Sequence, residues 1–326
     1  MLYQRETLAL LSVPGIGRKT AFDVLRTAHH GANTADEMRD LLTDAKQKIP
    51  RLPLPSHDQI VAAFSKADEI RDKASELGVR ILSLDDPNYP ESLRTIPDPP
   101  VVLYVKGSIE CLSAGLRVAV VGTREPTPWG LKCAERLGER FSQAGFTVVS
   151  GLAKGCDTAA HQGCLKERGI TVAVMAHGLQ MVYPAENRDL ANDIVSIGGC
   201  LVSEYPPGVR GMSSFFIERD RLQSGLSLAV VVVETDIKGG TMHTVRACQE
   251  QGRILACVDH PQRLRHEAKV QGNRMLIDTL GAVALGKRED IDDLIDQLRA
   301  PGDSSKGKTK IAPTTKTDES LFDLGE

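Results

Sequence analysis

The sequence predicts an α/β fold with a mainly parallel, doubly wound sheet, preceded by a small all-α module. Between residues 118 and 258, short apolar runs rich in Val alternate with segments of helical spacing. This alternation is typical of parallel sheets whose two faces are covered by helices. Before residue 79, apolar residues recur at helical spacing without strand-like alternation. The length of 326 residues, 41% of them hydrophobic, is enough for one large or two modest domains.

A glycine turn between two apolar segments marks the first module, predicted over residues 1–78. Pro-Gly-Ile-Gly at 14–17 joins the two segments, which resembles a helix–hairpin–helix of a SAM-like module. In such hairpins, glycine N–H groups can meet a DNA phosphate while neighbouring cations add charge. Candidate phosphate contacts are Gly15, Gly17, Arg18 and Lys19. A plain structural hairpin is the alternative.

The second domain is predicted over residues 79–286, and residues 287–326 are predicted as a short helix and a disordered tail. Strands are predicted at 80–83, 101–105, 118–121, 147–149, 171–175, 200–203, 228–233 and 254–258. Helices are predicted after Thr127, Asp157, Glu186, Phe215, Gly240 and Gly272. Sheets of this kind bind ligands at the carboxyl ends of their strands.

The turn after the strand at 147–149 has the features of an anion site. Gly151 and Gly155 flank Lys154, and Asp157 or Thr158 is expected to cap the next helix. The first N–H groups of a helix have no internal partner, and the helix dipole adds positive charge to them. The spacing matches neither a dinucleotide fingerprint nor a P-loop. An ordinary βα turn is the alternative.

Five short motifs follow one another along the chain, and their order and spacing can be compared with those of known families. They are Val-Gly-Thr-Arg at 121–124, the run at 148–161, Pro184 with Asn187, Ser-Glu-Tyr-Pro at 203–206 and Arg-Asp-Arg at 219–221. In order and spacing they resemble the DNA-processing protein A family (DprA, also called Smf), from about Ile81 to Ala284. The resemblance implies a Rossmann-like domain that binds single-stranded DNA, presents it to a RecA-type recombinase and forms a homodimer. It requires no cofactor, metal or covalent chemistry.

Cations at the strand-end loops are expected to form one basic groove that tracks phosphates. The expected DNA- or phosphate-binding residues are Gly122, Arg124, Gly151, Lys154, Gly155, Arg219, Arg221, Lys238, Gly240 and Thr241. Tyr183, Trp129 and Phe215 are candidates for stacking on a base. For Lys238, Trp129 and Phe215, a solvated charge or core packing is the preferred interpretation.

Two positions depart from the family pattern. Asp220 stands where the family typically has Asn between two arginines, and Gly239-Gly240-Thr241 replaces a Ser-Gly-Ser/Thr run. An acid between Arg219 and Arg221 would weaken an anion site by repelling phosphate. These departures favour a second interpretation, in which a divergent relative is the antitoxin partner of a toxin in a phage-defence module.

A nucleotide-binding sensor and a nucleotide phosphoribohydrolase of the same superfamily are further alternatives. The hydrolases carry Gly-Gly-x-Gly-Thr-x-x-Glu, and no glutamate stands at the required place in residues 239–246. Glycosidic hydrolysis needs a positioned carboxylate, for which Glu204 and Glu234 are the only plausible candidates. The sequence therefore predicts a protein that is not an enzyme.

Composition limits the remaining classes. The net charge of −3 gives no global support for DNA binding, so any DNA site must be a local basic patch. The seven cysteines include no Cys-x-x-Cys pair, which favours reduced thiols over disulfides or a zinc site. No signal peptide or membrane-spanning run is evident, which predicts a cytoplasmic protein with no membrane contact.

Overall fold

A computed structural model describes residues 4–28, 31–113 and 115–300, so the predicted disordered tail lies outside the described residues. The chain forms two compact units. Unit 1 holds the described residues up to Ser113 together with Met175–Met181 and Cys200–Phe216, and unit 2 holds the other described residues. The domain boundaries after residues 78 and 286 stay a prediction about which segments fold independently.

The secondary structure alternates along the chain as predicted. The helices are α1 (Gln4–Ser12), α2 (Arg18–Thr27), α3 (Ala35–Lys48), α4 (His57–Glu76), α5 (Glu91–Arg94), α6 (Glu110–Ser113), α7 (Pro128–Gln143), α8 (Cys156–Lys166), α9 (Arg188–Ser196), α10 (Ser213–Gly225), α11 (Thr241–Glu250), α12 (Ala268–Leu280) and α13 (Arg288–Arg299). The strands are β1 (Arg80–Ser83), β2 (Val102–Gly107), β3 (Arg117–Val121), β4 (Thr147–Ser150), β5 (Thr171–Met175), β6 (Cys200–Ser203), β7 (Ala229–Val232), β8 (Ile254–Val258) and β9 (Val283–Leu285).

Unit 1 begins with the predicted helical module. Capping boxes start two of its helices. The side chains of Thr34 and Ser56 each accept a hydrogen bond from the backbone N–H three residues later, and the side chains of Glu37 and Gln59 accept one from the backbone N–H of Thr34 and Ser56. After α4, the strands β1, β2 and β6 of this unit pair in antiparallel fashion. Of these three strands, β1 and β2 precede the parallel strands in the chain, whereas β6 follows β5.

Unit 2 contains the parallel sheet, with strand order β5-β4-β3-β7-β8-β9. Counted from β3, this is the order 3-2-1-4-5-6 of a Rossmann-type doubly wound sheet. The predicted fold class is therefore confirmed. Buried side chains of β3, β7, α7, α8 and α13 form the core on one face of the sheet.

Glycines bring α7 and α8 of unit 2 into close contact. A β carbon at Gly138 would collide with the carbonyl of Ala160, and one at Gly163 would collide with the carbonyl of Glu135. Each helix thus presents a glycine to the backbone of the other, as helices must where their backbones touch. This contact fixes α8, and with it the turn that precedes α8.

The predicted strands match the observed ones closely. Three differences lie elsewhere, one of them that α12 begins at Ala268, before the predicted start at Gly272. Strand β9 was not predicted, because a run of three residues is too short to show an alternating pattern. Helix α10 begins at Ser213, before Phe215, so the two phenylalanines lie within its first turn. The starts of α10 and α12 are ends of elements, where local sequence patterns carry the least information.

Candidate functional site

The turn between β4 and α8 is held in a conformation that few residues adopt. Leu152 is fully buried at φ 56°, and Gly155 has φ 77°. A β carbon at Gly155 would lie 2.6 Å from the carbonyl oxygen of Thr123 and 2.7 Å from the carbonyl carbon of Arg124. The two glycine turns, after β3 and after β4, therefore pack directly on each other. The backbone of Arg124 thus lies close to Gly155, the residue after Lys154.

Asp157 occupies the turn from within. Its Oδ2 accepts hydrogen bonds from the N–H groups of Gly151 at 3.1 Å and Ala153 at 3.4 Å. The chain's own carboxylate therefore already binds two N–H groups of the turn, and an anion site at the first N–H groups of the helix stays a prediction. The predicted cap is wrong: Gly155, and neither Asp157 nor Thr158, stands at the N-cap of α8. Burial raises the pKa of Asp157, and the charge of Arg219 opposes that rise.

Asn187 fixes the other side of this turn. Its side-chain amide donates to the carbonyl of Leu152 at 2.9 Å and to the hydroxyl of Thr158 at 2.8 Å. Sequence reasoning noted Asn187 as part of a family motif and gave it no role. The signal that could have found it is an asparagine at a predicted helix start, where its short amide side chain can bond to backbone groups.

Arg219 is a buried cation beneath the turn, with 5% of its surface exposed. Its guanidinium lies against Gly151, in the space that a β carbon at this glycine would fill. Its Nε and Nη1 atoms have no hydrogen-bond partner among the described residues. The sequence expectation put Arg219 on the surface of a groove, whereas the structure buries it under the glycine turn.

Asp220, which departs from the family pattern, lies beside Arg219. Its Oδ1 is 3.6 Å from Nε of Arg219, and its side chain is 14% exposed. Burial raises the pKa of Asp220 to about 6, while the charge of Arg219 acts in the opposite direction. The acid therefore offsets the charge of the buried arginine at neutral pH, and the weakening of an anion site stays a prediction.

Arg124 and Lys154 are the exposed cations of the two packed turns. Nζ of Lys154 lies 2.8 Å from Oε2 of Glu186, and both side chains of this pair are more than half exposed. An exposed pair of this kind contributes about 0–1 kcal/mol, so a stronger anion can displace Glu186. The structure thus brings together two of the predicted site residues in an accessible position.

The other predicted contacts have different surroundings. Gly122 packs against α8, since a β carbon there would lie 2.5 Å from Sγ of Cys156. The half-buried Arg221 donates to the carbonyl of Glu218 at 3.0 Å. In the turn after β7, Lys238 and Gly240 are exposed, and Thr241 is buried at the start of α11. Gly122 and the turn after β7 lie along the carboxyl edge of the sheet, because β7 pairs with β3 in parallel, whereas Arg221 lies on α10.

The three aromatic candidates differ in exposure. Trp129 is buried against His260, with ring centroids 4.7 Å apart. Phe215 stacks on Tyr205 with a centroid distance of 4.1 Å and an interplanar angle of 20°. Tyr183 is 49% exposed. Core packing therefore accounts for Trp129, and Tyr183 is the most accessible ring of the three.

The two carboxylates considered for hydrolysis are both engaged. Glu234 is fully buried and accepts hydrogen bonds from the N–H of Thr127 at 2.8 Å and the hydroxyl of Thr127 at 2.6 Å. A ring nitrogen of His260 lies 3.1 Å from the same carboxylate. Glu204, in unit 1, lies 4.0 Å from the guanidinium of Arg18. Glu234 holds the start of α7 and has no access to a substrate.

The hairpin turn of unit 1 does not present all of its predicted contacts. Arg18 pairs with Asp98 at 2.8 Å, so its guanidinium is already bound by a carboxylate. Lys19 is exposed, Gly17 stands at the N-cap of α2 and Gly15 has φ 83°. The prediction of Arg18 as a phosphate contact is therefore replaced by an ion pair, while the other three positions stay accessible.

Three further properties of the described residues concern metal ligands, membrane spans and cysteines. No cluster of three or more His, Cys, Asp or Glu side chains in the described ranges is arranged to hold a metal ion. Within the same part of the chain, every helix is too short or too polar to cross a bilayer. All seven cysteines are buried and unpaired by disulfides.

Known proteins with similar sequences identify the family. The family model described as DNA recombination-mediator protein A matches residues 80–299, which is more than half of the chain. The chain belongs to this family. The DNA processing protein DprA of Bacillus subtilis is 36% identical over 218 residues, which cover 64% of this chain and 73% of that protein. Protein Smf of Synechocystis is 35% identical over 242 residues, covering 70% of this chain and 59% of Smf.

Solved structures of DprA proteins have the same architecture. DprA from Streptococcus pneumoniae superposes with a TM-score of 0.73 at 26% identity, covering 90% of this chain and 98% of that one. DprA from Helicobacter pylori, solved in a study of its single-stranded DNA binding mode, gives 0.59 at 27% identity, covering 68% and 95%. The DprA family is one of recombination mediators and not of enzymes, in agreement with the sequence expectation.

Proposed function

We propose that this DprA-family chain binds single-stranded DNA at the two packed glycine turns and presents the strand to a RecA-type recombinase. The observation that carries the proposal is the placement of Arg124 and Lys154 on turns that contact each other at the carboxyl edge of a parallel sheet. Ligands of doubly wound sheets bind at this edge. The single-stranded DNA binding described for the Helicobacter pylori relative supports the same assignment.

The chemistry of the site suits a phosphodiester backbone. Two exposed cations on neighbouring turns can each neutralise one phosphate and release its counterions, which makes the affinity salt-dependent and independent of sequence. The partly neutralised charge of Arg219 adds a positive field from below Gly151. Lys238 and Thr241, at the end of the neighbouring strand β7, extend the proposed path along the edge. Tyr183 is the aromatic ring most accessible to a base.

A charge-reversal pair tests the assignment. Arg124→Glu with Lys154→Glu should lower the affinity for a fluorescent oligo-dT by about tenfold or more at 100 mM salt, because two phosphate contacts become repulsive. Arg274→Glu with Arg288→Glu makes the same change in net charge on α12 and α13 and serves as the matched control. Equal losses in both proteins would mean that net charge, and not this site, governs binding.

The partners are a separate part of the proposal. Delivery to the recombinase is tested by the rate at which RecA assembles on oligonucleotides coated with a single-strand binding protein, with and without this chain. Sedimentation of the purified protein tests the homodimer that the family resemblance implies. Failure to bind DNA at low salt would move attention to the antitoxin and nucleotide-sensor alternatives.

A further inference from the structure

A cavity of about 590 Å³ opens in unit 1 where α2 and α3 end. Its lining includes the cations Arg26, Lys48 and Arg51, and Asp23 is the one acid among the described lining residues. All four side chains are exposed. A chain of net charge −3 therefore carries a concave surface of locally positive charge, here called the α2–α3 cavity.

The three cations of the α2–α3 cavity lack carboxylate partners. Within the described chain, none of Arg26, Lys48 and Arg51 forms an ion pair, and the guanidinium of Arg26 only lies 5.8 Å from the ring centroid of Phe22. Other surface cations of the same unit are paired, such as Arg5 with a carboxylate at 2.7 Å. Three unpaired cations around one concave surface repel each other, and an anion would relieve that repulsion.

Helix dipoles do not account for the whole cluster. Arg26 lies in the last turn of α2 and Lys48 ends α3, where cations complement the negative end of a helix. Lys46, also in the last turn of α3, donates from Nζ to the carbonyl of Leu52 at 2.7 Å, in the segment that follows the helix. Arg51 stands beyond the helix, and no helix end explains its position.

We propose that the α2–α3 cavity is a second binding site, for the phosphodiester backbone of a nucleic-acid strand. The guanidinium forks of Arg26 and Arg51 match the geometry of phosphate oxygens, and Lys48 adds a point charge. None of the described lining residues is aromatic, so the cavity lacks the aromatic anchor that is typical of the centre of a protein–protein interface. The site differs from the hairpin turn, where Arg18 is bound by Asp98.

The salt dependence of oligonucleotide binding measures the contribution of this cavity. Three phosphate contacts to a single strand change the slope of log K against log salt by about 2, which is about a twentyfold change in affinity between 50 and 200 mM salt. The full chain carrying Arg26→Gln, Lys48→Gln and Arg51→Gln should lose that part of the slope. The matched control, Arg39→Gln with Lys66→Gln and Arg71→Gln, removes the same charge from other exposed positions of the module and should keep the wild-type slope.

A combined variant separates this site from the proposed strand-end site. The Arg124→Glu, Lys154→Glu protein should retain weak, salt-dependent binding to oligo-dT, and adding the three cavity substitutions should remove it. Residual binding that the cavity substitutions remove supports the cavity even where the strand-end assignment fails. The cavity proposal would be overturned by an unchanged slope in the cavity variant or by an equal loss of slope in the control. It would also be overturned if polyglutamate at equal charge concentration displaced the oligonucleotide from the cavity.

Discussion

The guanidinium of Arg219 lies against the α carbon of Gly151, in the space that any side chain at position 151 would occupy. This contact joins the first turn-forming glycine after β4 to a buried cation on α10. Position 151 therefore requires glycine because the Arg219 guanidinium leaves no room for a side chain. A special backbone conformation is not the reason, because Gly151 is not among the residues with positive φ. The remaining contacts of the turn, from Asp157 and Asn187, also come from within unit 2.

Gly151→Ala should destabilise the protein by about 1–3 kcal/mol, as overpacking of a tight site does. The added methyl group displaces the Arg219 guanidinium, so the affinity for single-stranded DNA should fall as well. Gly240→Ala is the control for stability, because no atom lies within 4 Å of its added β carbon. Urea unfolding compares the two, and equal stability of both variants would contradict the contact between Gly151 and Arg219.

Asp220 makes DNA binding depend on pH. Its raised pKa of about 6 means that the carboxylate is charged at pH 7.5 and protonated at pH 5. As the pH falls through 6, the offset to Arg219 is lost, so affinity for single-stranded DNA should rise. Asp220→Asn should bind more tightly at pH 7.5 and show a flatter pH profile. A profile that Asp220→Asn leaves unchanged would show that Asp220 does not govern the pH dependence.

The same carboxyl affects stability in a defined direction. Folding raises the pKa of Asp220, so the native state binds its proton more tightly than the unfolded chain does. The stabilisation by protonated Asp220 is therefore fully present below the ordinary pKa of an aspartate and is lost as the pH rises through 6. Asp220→Asn should therefore be more stable than wild type at pH 7.5, by about 1–3 kcal/mol. Lower stability of the variant would show that its attraction to Arg219 outweighs the cost of burial.

Glu234 supports the start of α7, and its charge is matched to two donors on Thr127. Glu234→Gln replaces one acceptor oxygen by an N–H₂ group that faces a donor, which should cost about 1–3 kcal/mol of stability. Glu186→Gln, at an exposed carboxylate, is the control and should change stability by about 0.5 kcal/mol or less. Thermal unfolding measures both. A Glu234→Gln protein as stable as wild type would remove Glu234 from its structural role.

The cysteines should react slowly in the native protein. All seven are buried, and burial raises the pKa of several of their thiols, Cys164 to about 11 and Cys248 to about 12. The thiolate is the reactive form, so Ellman's reagent at pH 8 should modify few of them before unfolding and all seven in denaturant. Rapid reaction of any thiol in the folded protein would show that it is accessible.

The strands of the sheet were predictable because each is encoded by a short apolar run in the sequence. Apolar runs such as 171–175 and 200–203 match observed strands residue for residue. The Rossmann-type order could be expected only through the family resemblance, since strand order depends on contacts between distant segments. The three-residue strand β9 was missed for lack of a pattern.

The candidate site was predictable in position but not in detail. The residue types that line the edge, such as Arg124 and Lys154, follow from strand-end placement, and both are exposed. The burial of Arg219 and the pairing of Arg18 with Asp98, eighty positions away, depend on tertiary contacts that no local pattern records. The internal use of the turn's N–H groups by Asp157 was missed because a carboxylate near a helix start also fits a simple cap.

The most direct test is the anisotropy of a labelled oligo-dT titrated with the wild-type protein from 50 to 400 mM salt, with duplex DNA of equal length as competitor. The proposed function predicts affinity that falls linearly on a log–log plot and a single strand that duplex DNA displaces poorly. No binding at 50 mM salt, or displacement by duplex as efficient as by single strand, would contradict it.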